Sequence, residues 1–179
     1  ESGTGKEVYA RAIHSASSRS QEPFLAVNCA SFNSTLLESE LFGYVGGAFT
    51  GAEKKGKMGI FEAVRGGTLF LDEISEIDFE FQSKLLRVLQ EHCIRPVGGL
   101  KEVPIDVRII CACNANLQER VEKGNFRKDL YFRLSVIQFE LPPLRQRRED
   151  ILPIAEYYIR KFNAQIGNRE ISGLDESAA

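Results

Sequence analysis

Several things this sequence lacks narrow its possible roles. It has no surplus of positive charge: 23 Lys and Arg stand against 25 Asp and Glu, a formal net charge of −2. Without a basic field to grip nucleic-acid phosphates, any DNA contact is expected to lie outside this chain. No apolar run approaches the ~20 residues that a membrane helix needs, so no membrane partner is expected. The opening Glu1-Ser2-Gly3-Thr4-Gly5-Lys6 has the wrong chemistry for a secretory signal. There is no Cys-x-x-Cys pair among the four cysteines to accompany either of the two histidines. Cys111 and Cys113 fall in the apolar run 107–113, while Cys29 and Cys93 stand alone. They read as small buried hydrophobes of a reducing cytoplasm, not as metal ligands. Internal repeats and low-complexity tracts are missing too.

What is present is a soluble, globular balance of 43% apolar and 27% charged residues over 179 positions, enough for one domain with a real core. Helical and strand patterns alternate, the signature of an α/β sheet. Val8, Ala12, Ile13 and Ala16 recur at helical spacing after a glycine loop. Phe24-Leu25-Ala26-Val27 predicts a short buried strand ending at Asn28. A helix is predicted over Ser34–Phe42, followed by a glycine-rich stretch, 43–59. Thr68-Leu69-Phe70-Leu71 is a continuous apolar strand ending at Asp72-Glu73. Phe81, Leu85, Val88 and Leu89 line one face of a helix that Asp78 caps. Residues 105–112 and 136–141 predict two further strands. A last amphipathic helix carries Ile151, Ile154, Ala155, Tyr158, Ile159 and Phe162, with Pro153 in its first turn. Strands this apolar predict a sheet covered on both faces. The polar tail 168–179 reads as a linker after a core spanning 1–167.

Two segments carry chemistry. Glu1-Ser2-Gly3-Thr4-Gly5-Lys6 matches a phosphate-binding loop from its second position onward, a loop whose backbone N–H groups cradle phosphates while a lysine neutralises them. Glu7 stands where a Ser or Thr would give a hydroxyl to Mg²⁺. The loop's first glycine and preceding strand are expected just before residue 1. Asp72 and Glu73 fall at the carboxyl end of a predicted strand, where open α/β sheets bind ligands. Asp72 is the expected metal residue; Glu73 is expected to orient and polarise an attacking water.

The segment Gly47-Ala48-Phe49-Thr50-Gly51-Ala52, after Glu40-Leu41-Phe42-Gly43, closely resembles the GAFTGA motif of sigma-54-dependent transcription activators. The resemblance extends over nearly the whole chain. Gly66-Gly67-Thr68-Leu69-Phe70-Leu71-Asp72-Glu73 is similar to that family's Walker B segment. Asn28 matches the asparagine that partners the Walker B glutamate as a switch, and Asn114 the sensor I position. Residues 95–104 match a second surface loop, and 126–134 the arginine-finger stretch with Arg127 and Arg133. On one regular helix, residues six apart point about 120° from each other, so both arginines are not expected to reach one phosphate by simple extension.

The resemblance implies a three-layer α/β/α P-loop NTPase (AAA+) core with a parallel sheet, lacking its first strand and C-terminal helical lid. It implies ATP and Mg²⁺ as ligands, sigma-54 RNA polymerase holoenzyme as partner, and a cytoplasmic ring homo-oligomer, a hexamer. DNA contact would come only through a helix-turn-helix outside this chain. Gly47, Ala48, Phe49, Thr50, Gly51 and Ala52 would touch sigma-54 in a mobile loop. Other AAA+ machines, such as helicases or chelatases, share the Walker segments without GAFTGA. The chain departs from the family pattern at Tyr44-Val45-Gly46, before the motif, and at Cys111-Ala112-Cys113, where sensor I has no neighbouring Thr. Whether the chain by itself turns over ATP stays open.

Overall fold

The computed structural model of the chain describes residues 3–166 together with 171, 173 and 174. These fall into two compact units, parted between Phe139 and Glu140. In the first unit the elements run α1 (Lys6–Ser15), β1 (Phe24–Asn28), α2 (Ser34–Phe42), β2 (Gly43–Tyr44), β3 (Lys57–Met58), α3 (Ile60–Ala63) and β4 (Thr68–Asp72). They continue with α4 (Phe79–Glu91), β5 (Cys93–Ile94), β6 (Val103–Pro104), β7 (Arg108–Cys111), α5 (Leu117–Glu122) and α6 (Lys128–Leu134).

The main sheet is parallel, in the order β1-β4-β7. Asn28 pairs in register with Asp72, and Leu71 with Cys111, so three strand ends arrive at one edge. The alternation along β4 serves its two faces. Leu69 and Leu71 enter a core built with Leu37, Leu41, Phe61, Phe81 and Leu85. On the opposite face the Thr68 hydroxyl meets His14 Nδ1 of α1 at 2.9 Å, and Phe70 stacks on Phe24 with ring centroids 6.5 Å apart. Helices therefore cover the centre of the sheet from both sides.

The expected burial of every strand holds only for β4. Leu25 is 37% exposed and all of β7 is half-buried, because these two strands are the sheet's edges. Strand 105–112 is shorter than expected. The strand expected over 136–141 does not form: Val136, Ile137 and Phe139 lie exposed in irregular backbone. Their β propensity is insufficient without a hydrogen-bonding neighbour, and no strand among the described residues pairs with them.

The caps follow the sequence closely. Asp78 Oδ1 accepts from Phe81 N–H at 2.8 Å and opens α4; Asn33 does the same for α2 through Leu36 N–H. In the second unit, single 3₁₀ turns at Leu144–Gln146 and Arg148–Asp150 precede α7 (Ile151–Ile166). Pro153 lies in the first turn of α7, where its missing N–H costs no helix bond. Asn163 exchanges two hydrogen bonds with the Ile171 backbone. Apart from 171, 173 and 174, the expected linker 168–179 lies outside the described residues.

Candidate functional site

The carboxyl edge of the sheet gathers the residues that the two chemical segments supply. Gly3 and Gly5 both adopt positive φ, 80° and 85°, and Gly5 is the residue from which α1 springs. As N-cap, Gly5 brings no side chain to the first amides of α1, and the turn sets Lys6 against the carboxylates at the sheet edge. Its Nζ lies 3.2 Å from Glu73 Oε1 and 3.8 Å from Asp72 Oδ1, with all three side chains at most a quarter exposed. Thr4 is buried beneath the loop. Glu1 and Ser2, expected in the same loop, lie outside the described residues. Glu7 points elsewhere: its carboxylate is held by Arg11 on the next turn, 2.7 Å away.

Glu73 is positioned by more than Lys6. Its backbone is left-handed, φ 53° and ψ 46°, a conformation that a non-glycine residue adopts at an energetic cost and that recurs at functional sites. Neighbouring bonds hold it there. Glu73 N–H donates to Asp72 Oδ1 at 3.0 Å, Ile74 N–H to Ala112 O at 3.0 Å, and Asn114 N–H to Glu73 Oε2 at 3.2 Å. Asn114 thus reaches Glu73 through its main chain. Asn28, alongside Asp72 in register, uses its side-chain oxygen to accept from Ala30 N–H at 2.9 Å. In this state its side chain caps its own segment and does not bond to Glu73.

Two cysteines that read as inert in the sequence line this edge. Burial pushes the Cys29 thiol up to about 12, with Asp72 and Glu73 adding to the effect. Burial, then Glu73, also raises Cys113. Both are therefore uncharged packing beneath the carboxylates. The signal was their position: Cys29 follows Asn28 and Cys113 precedes Asn114.

Arg127 and Arg133 do not join this cluster. Arg127 is the extended N-cap of α6, not part of the helix. Its guanidinium is shared between Asp129, at 2.8 Å and 3.0 Å, and Ser83 Oγ, at 2.7 Å. Arg133, on α6, donates to Leu89 O. Both arginines therefore rest against α4, through Ser83 and Leu89.

Residues 43–58 form a separate small hairpin closed by β2 and β3. Its neck is fastened to the loop between β5 and β6, with Val45 N–H donating to Val97 O and Val97 N–H to Gly43 O. Glycine is required where the two meet: a Cβ on Gly46 of the neck would fall on the Lys54 carbonyl oxygen, and one on Gly98 of the β5–β6 loop would lie 2.8 Å from Ala48 Cβ. At the tip, Phe49 is 37% exposed and packs edge-on against Tyr44, ring centroids 5.0 Å apart. The departure at Tyr44 thus supplies partial shelter for Phe49. Gly47, Ala48, Thr50, Gly51 and Ala52 complete the turn, where Ala52 N–H donates to Phe49 O and both Gly47 and Gly51 adopt positive φ.

A family model for the sigma-54 interaction domain matches residues 1–140, one residue beyond the end of the first compact unit. The chain is 59% identical over 162 residues to the Nif-specific regulatory protein of Azospirillum brasilense, covering 90% of this chain and 26% of that protein. It is 56% identical over 161 residues to the acetoin dehydrogenase operon transcriptional activator AcoR of Bacillus subtilis, covering 90% and 27%. It thus spans about a quarter of the length of these relatives. Among solved structures, NtrX from Brucella abortus superposes with a TM-score of 0.85 at 41% identity, over 94% of this chain and 38% of that one. A P-loop NTPase domain of a sigma-54 transport activator from E. coli, 21% identical with a TM-score of 0.52, shares the fold over 80% of this chain and 79% of its own. On the match over residues 1–140 and the shared AAA+ P-loop NTPase architecture, the chain belongs to the sigma-54 interaction domain family.

Proposed function

We propose that this chain is the ATP-binding and ATP-hydrolysing core of a sigma-54-dependent transcription activator. It couples hydrolysis, through residues 47–52, to remodelling of sigma-54 RNA polymerase holoenzyme and to promoter opening. The observation that carries this reading is the convergence of Lys6, Asp72 and Glu73 at one edge of a parallel sheet, beside the glycine-capped start of α1. The relatives support it: NtrX from Brucella abortus was solved in complex with ADP and with ATP, and AcoR is a transcriptional activator by name.

In this reading the backbone of Gly3, Thr4, Gly5, Lys6 and Glu7 cradles the phosphates, with Glu1 and Ser2 completing the loop. Lys6 turns from the carboxylates to phosphate oxygen. The donor set fits a nucleotide-borne Mg²⁺, which accepts one or two carboxylates together with substrate phosphates: Asp72 offers an oxygen beyond the one that accepts Glu73 N–H. When bound there, Mg²⁺ neutralises phosphate charge. Glu73 orients a water for in-line attack, Asn114 holds Glu73 through its N–H, and Asn28 is the switch partner once it releases Ala30. Arg127 and Arg133 act on the ATP of a neighbouring subunit in a cytoplasmic ring, a hexamer. DNA is reached through a helix-turn-helix outside this chain.

The trans arrangement is supported by both arginines being engaged with α4 and not with Lys6, Asp72 or Glu73. An arginine supplied this way contributes about 10³–10⁵ in rate. Mixing full-length Arg127→Ala with full-length Lys6→Ala protein should restore hydrolysis that neither has alone, and wild-type specific activity should rise with concentration. Activity independent of concentration, with no recovery on mixing, contradicts the reading.

A further inference from the structure

Gln82 is a polar side chain where the pattern of α4 calls for an apolar one. It shares its face with Leu85 and Leu86, three and four positions on and so about one full turn away, and is fully buried. A buried amide is tolerated only when its donors and acceptor are matched. Here all the groups are used. Nε2 donates to Ile77 O at 3.0 Å and to Asn125 O at 3.3 Å; Oε1 accepts from the main-chain N–H of Arg127 at 2.8 Å. The donor and acceptor pattern fixes the amide's orientation, since only its oxygen can face an N–H.

The next residue of α4 grips the other end of the same arginine. Ser83 Oγ accepts from Arg127 Nη1 at 2.7 Å. Two consecutive residues of one helix therefore hold Arg127 by its backbone and by its guanidinium. Asp129, itself on α6, moves with Arg127 and cannot set its position relative to the rest of the fold. Gln82 also reaches back to Ile77, in the segment that leads from Glu73 into α4. The arginine is thereby referenced to the stretch of chain that follows the hydrolytic carboxylate.

We infer that Gln82 and Ser83 are positioning residues for hydrolysis: they set Arg127 for use at the neighbouring subunit's ATP. The inference rests on the reading that Arg127 acts in trans. Its energetic logic is that of preorganisation, in which a displacement of about 1 Å in a catalytic group costs on the order of 10²-fold in rate. Filling the site with an apolar side chain would preserve packing volume while leaving the Arg127 N–H without its acceptor. Apolar replacement is thus the informative change.

The test uses full-length protein carrying Gln82→Met or Ser83→Ala, with kcat and KM for ATP measured separately. Gln82→Met should lose about 10²-fold in kcat while KM stays within about threefold of wild type. Mixed with Lys6→Ala, it should regain turnover, because the Lys6→Ala subunit brings an intact, correctly held Arg127 to a neighbour that still binds ATP. A purely structural defect is not repaired by such mixing. Ser83→Ala, a small change at a half-buried position of α4, keeps the question answerable if Gln82→Met fails to fold; it should lose about tenfold in kcat with KM unchanged and be rescued by the same partner. Arg127→Ala mixed with Lys6→Ala is the reference. Recovery in that reference, with wild-type kcat or no rescue in the folded Gln82 and Ser83 variants, overturns the positioning role and leaves the trans reading standing. No recovery in the reference overturns the trans reading, and the positioning role falls with it.

Discussion

The ammonium of Lys6 rests between the two carboxylates at the end of β4, 3.2 Å from Glu73 and 3.8 Å from Asp72, with its side chain only 12% exposed. In the proposed function, the cation assigned to phosphate is thus kept by the group assigned to water, and a nucleotide that drew Lys6 to phosphate would free Glu73. The two roles would be linked through one side chain, across 67 positions of sequence.

Replacing that side chain separates the proposed phosphate site from a mere ion pair. Lys6→Ala in the full-length protein should abolish nucleotide binding, read by titration with a fluorescent ATP analogue. If Lys6 only neutralises Asp72 and Glu73, affinity will remain within about threefold of wild type, well under the 1.4 kcal/mol of a tenfold change.

The hairpin tip should be separable from hydrolysis. Phe49→Ala and Thr50→Ala are expected to abolish sigma-54 binding and promoter opening while ATP turnover stays within a few-fold of wild type. Phe49 packs on Tyr44 and not on Lys6, Asp72 or Glu73. Loss of turnover with sigma-54 binding intact would place the tip in the hydrolytic site instead.

Asp78 gives a pH signature. The Phe81 N–H, followed by the Ser34 side chain, holds its carboxyl below the usual aspartate range. A depressed folded-state value means that its stabilisation is fully present above the unfolded value and disappears as pH falls through the folded one. Asp78→Ala should therefore cost about 1 kcal/mol at neutral pH, the ordinary worth of an N-cap. Denaturant titrations of variant and wild type should converge as the pH drops through that depressed value. A gap that stays constant into acid would show that the cap does not depend on the charge.

Much of this was legible in the sequence because the signals were local. Three consecutive apolar residues after Thr68 and before Asp72 mark the strand that is buried on both faces among the described residues, and the spacing of Phe81, Leu85 and Val88 after Asp78 marks α4 with its cap. The paired strands of two residues each, β2 with β3 and β5 with β6, are too short to leave a pattern. The run 136–141 misled because apolar, β-prone residues state a preference that only a pairing neighbour realises. The candidate site residues were named by motif, but not their bonding: Asn114 meets Glu73 through its N–H, Asn28 caps Ala30, and Arg127 stands ahead of its helix. Gln82 did leave a mark, a lone amide on an apolar face, whose meaning depends on Arg127 lying 45 residues further on.

The most direct test of the account is one substitution at Glu73, measured for binding and turnover on the same full-length preparation. Glu73→Gln keeps the side chain's size, removes its charge and frees Lys6 from its nearest partner. Affinity for ATP should therefore be retained or tightened, while steady-state hydrolysis falls by at least about 10²-fold, the usual range for removing a general base. ATP binding lost with hydrolysis per bound nucleotide unchanged, or turnover within a few-fold of wild type, would contradict the claim that Glu73 drives hydrolysis at this site.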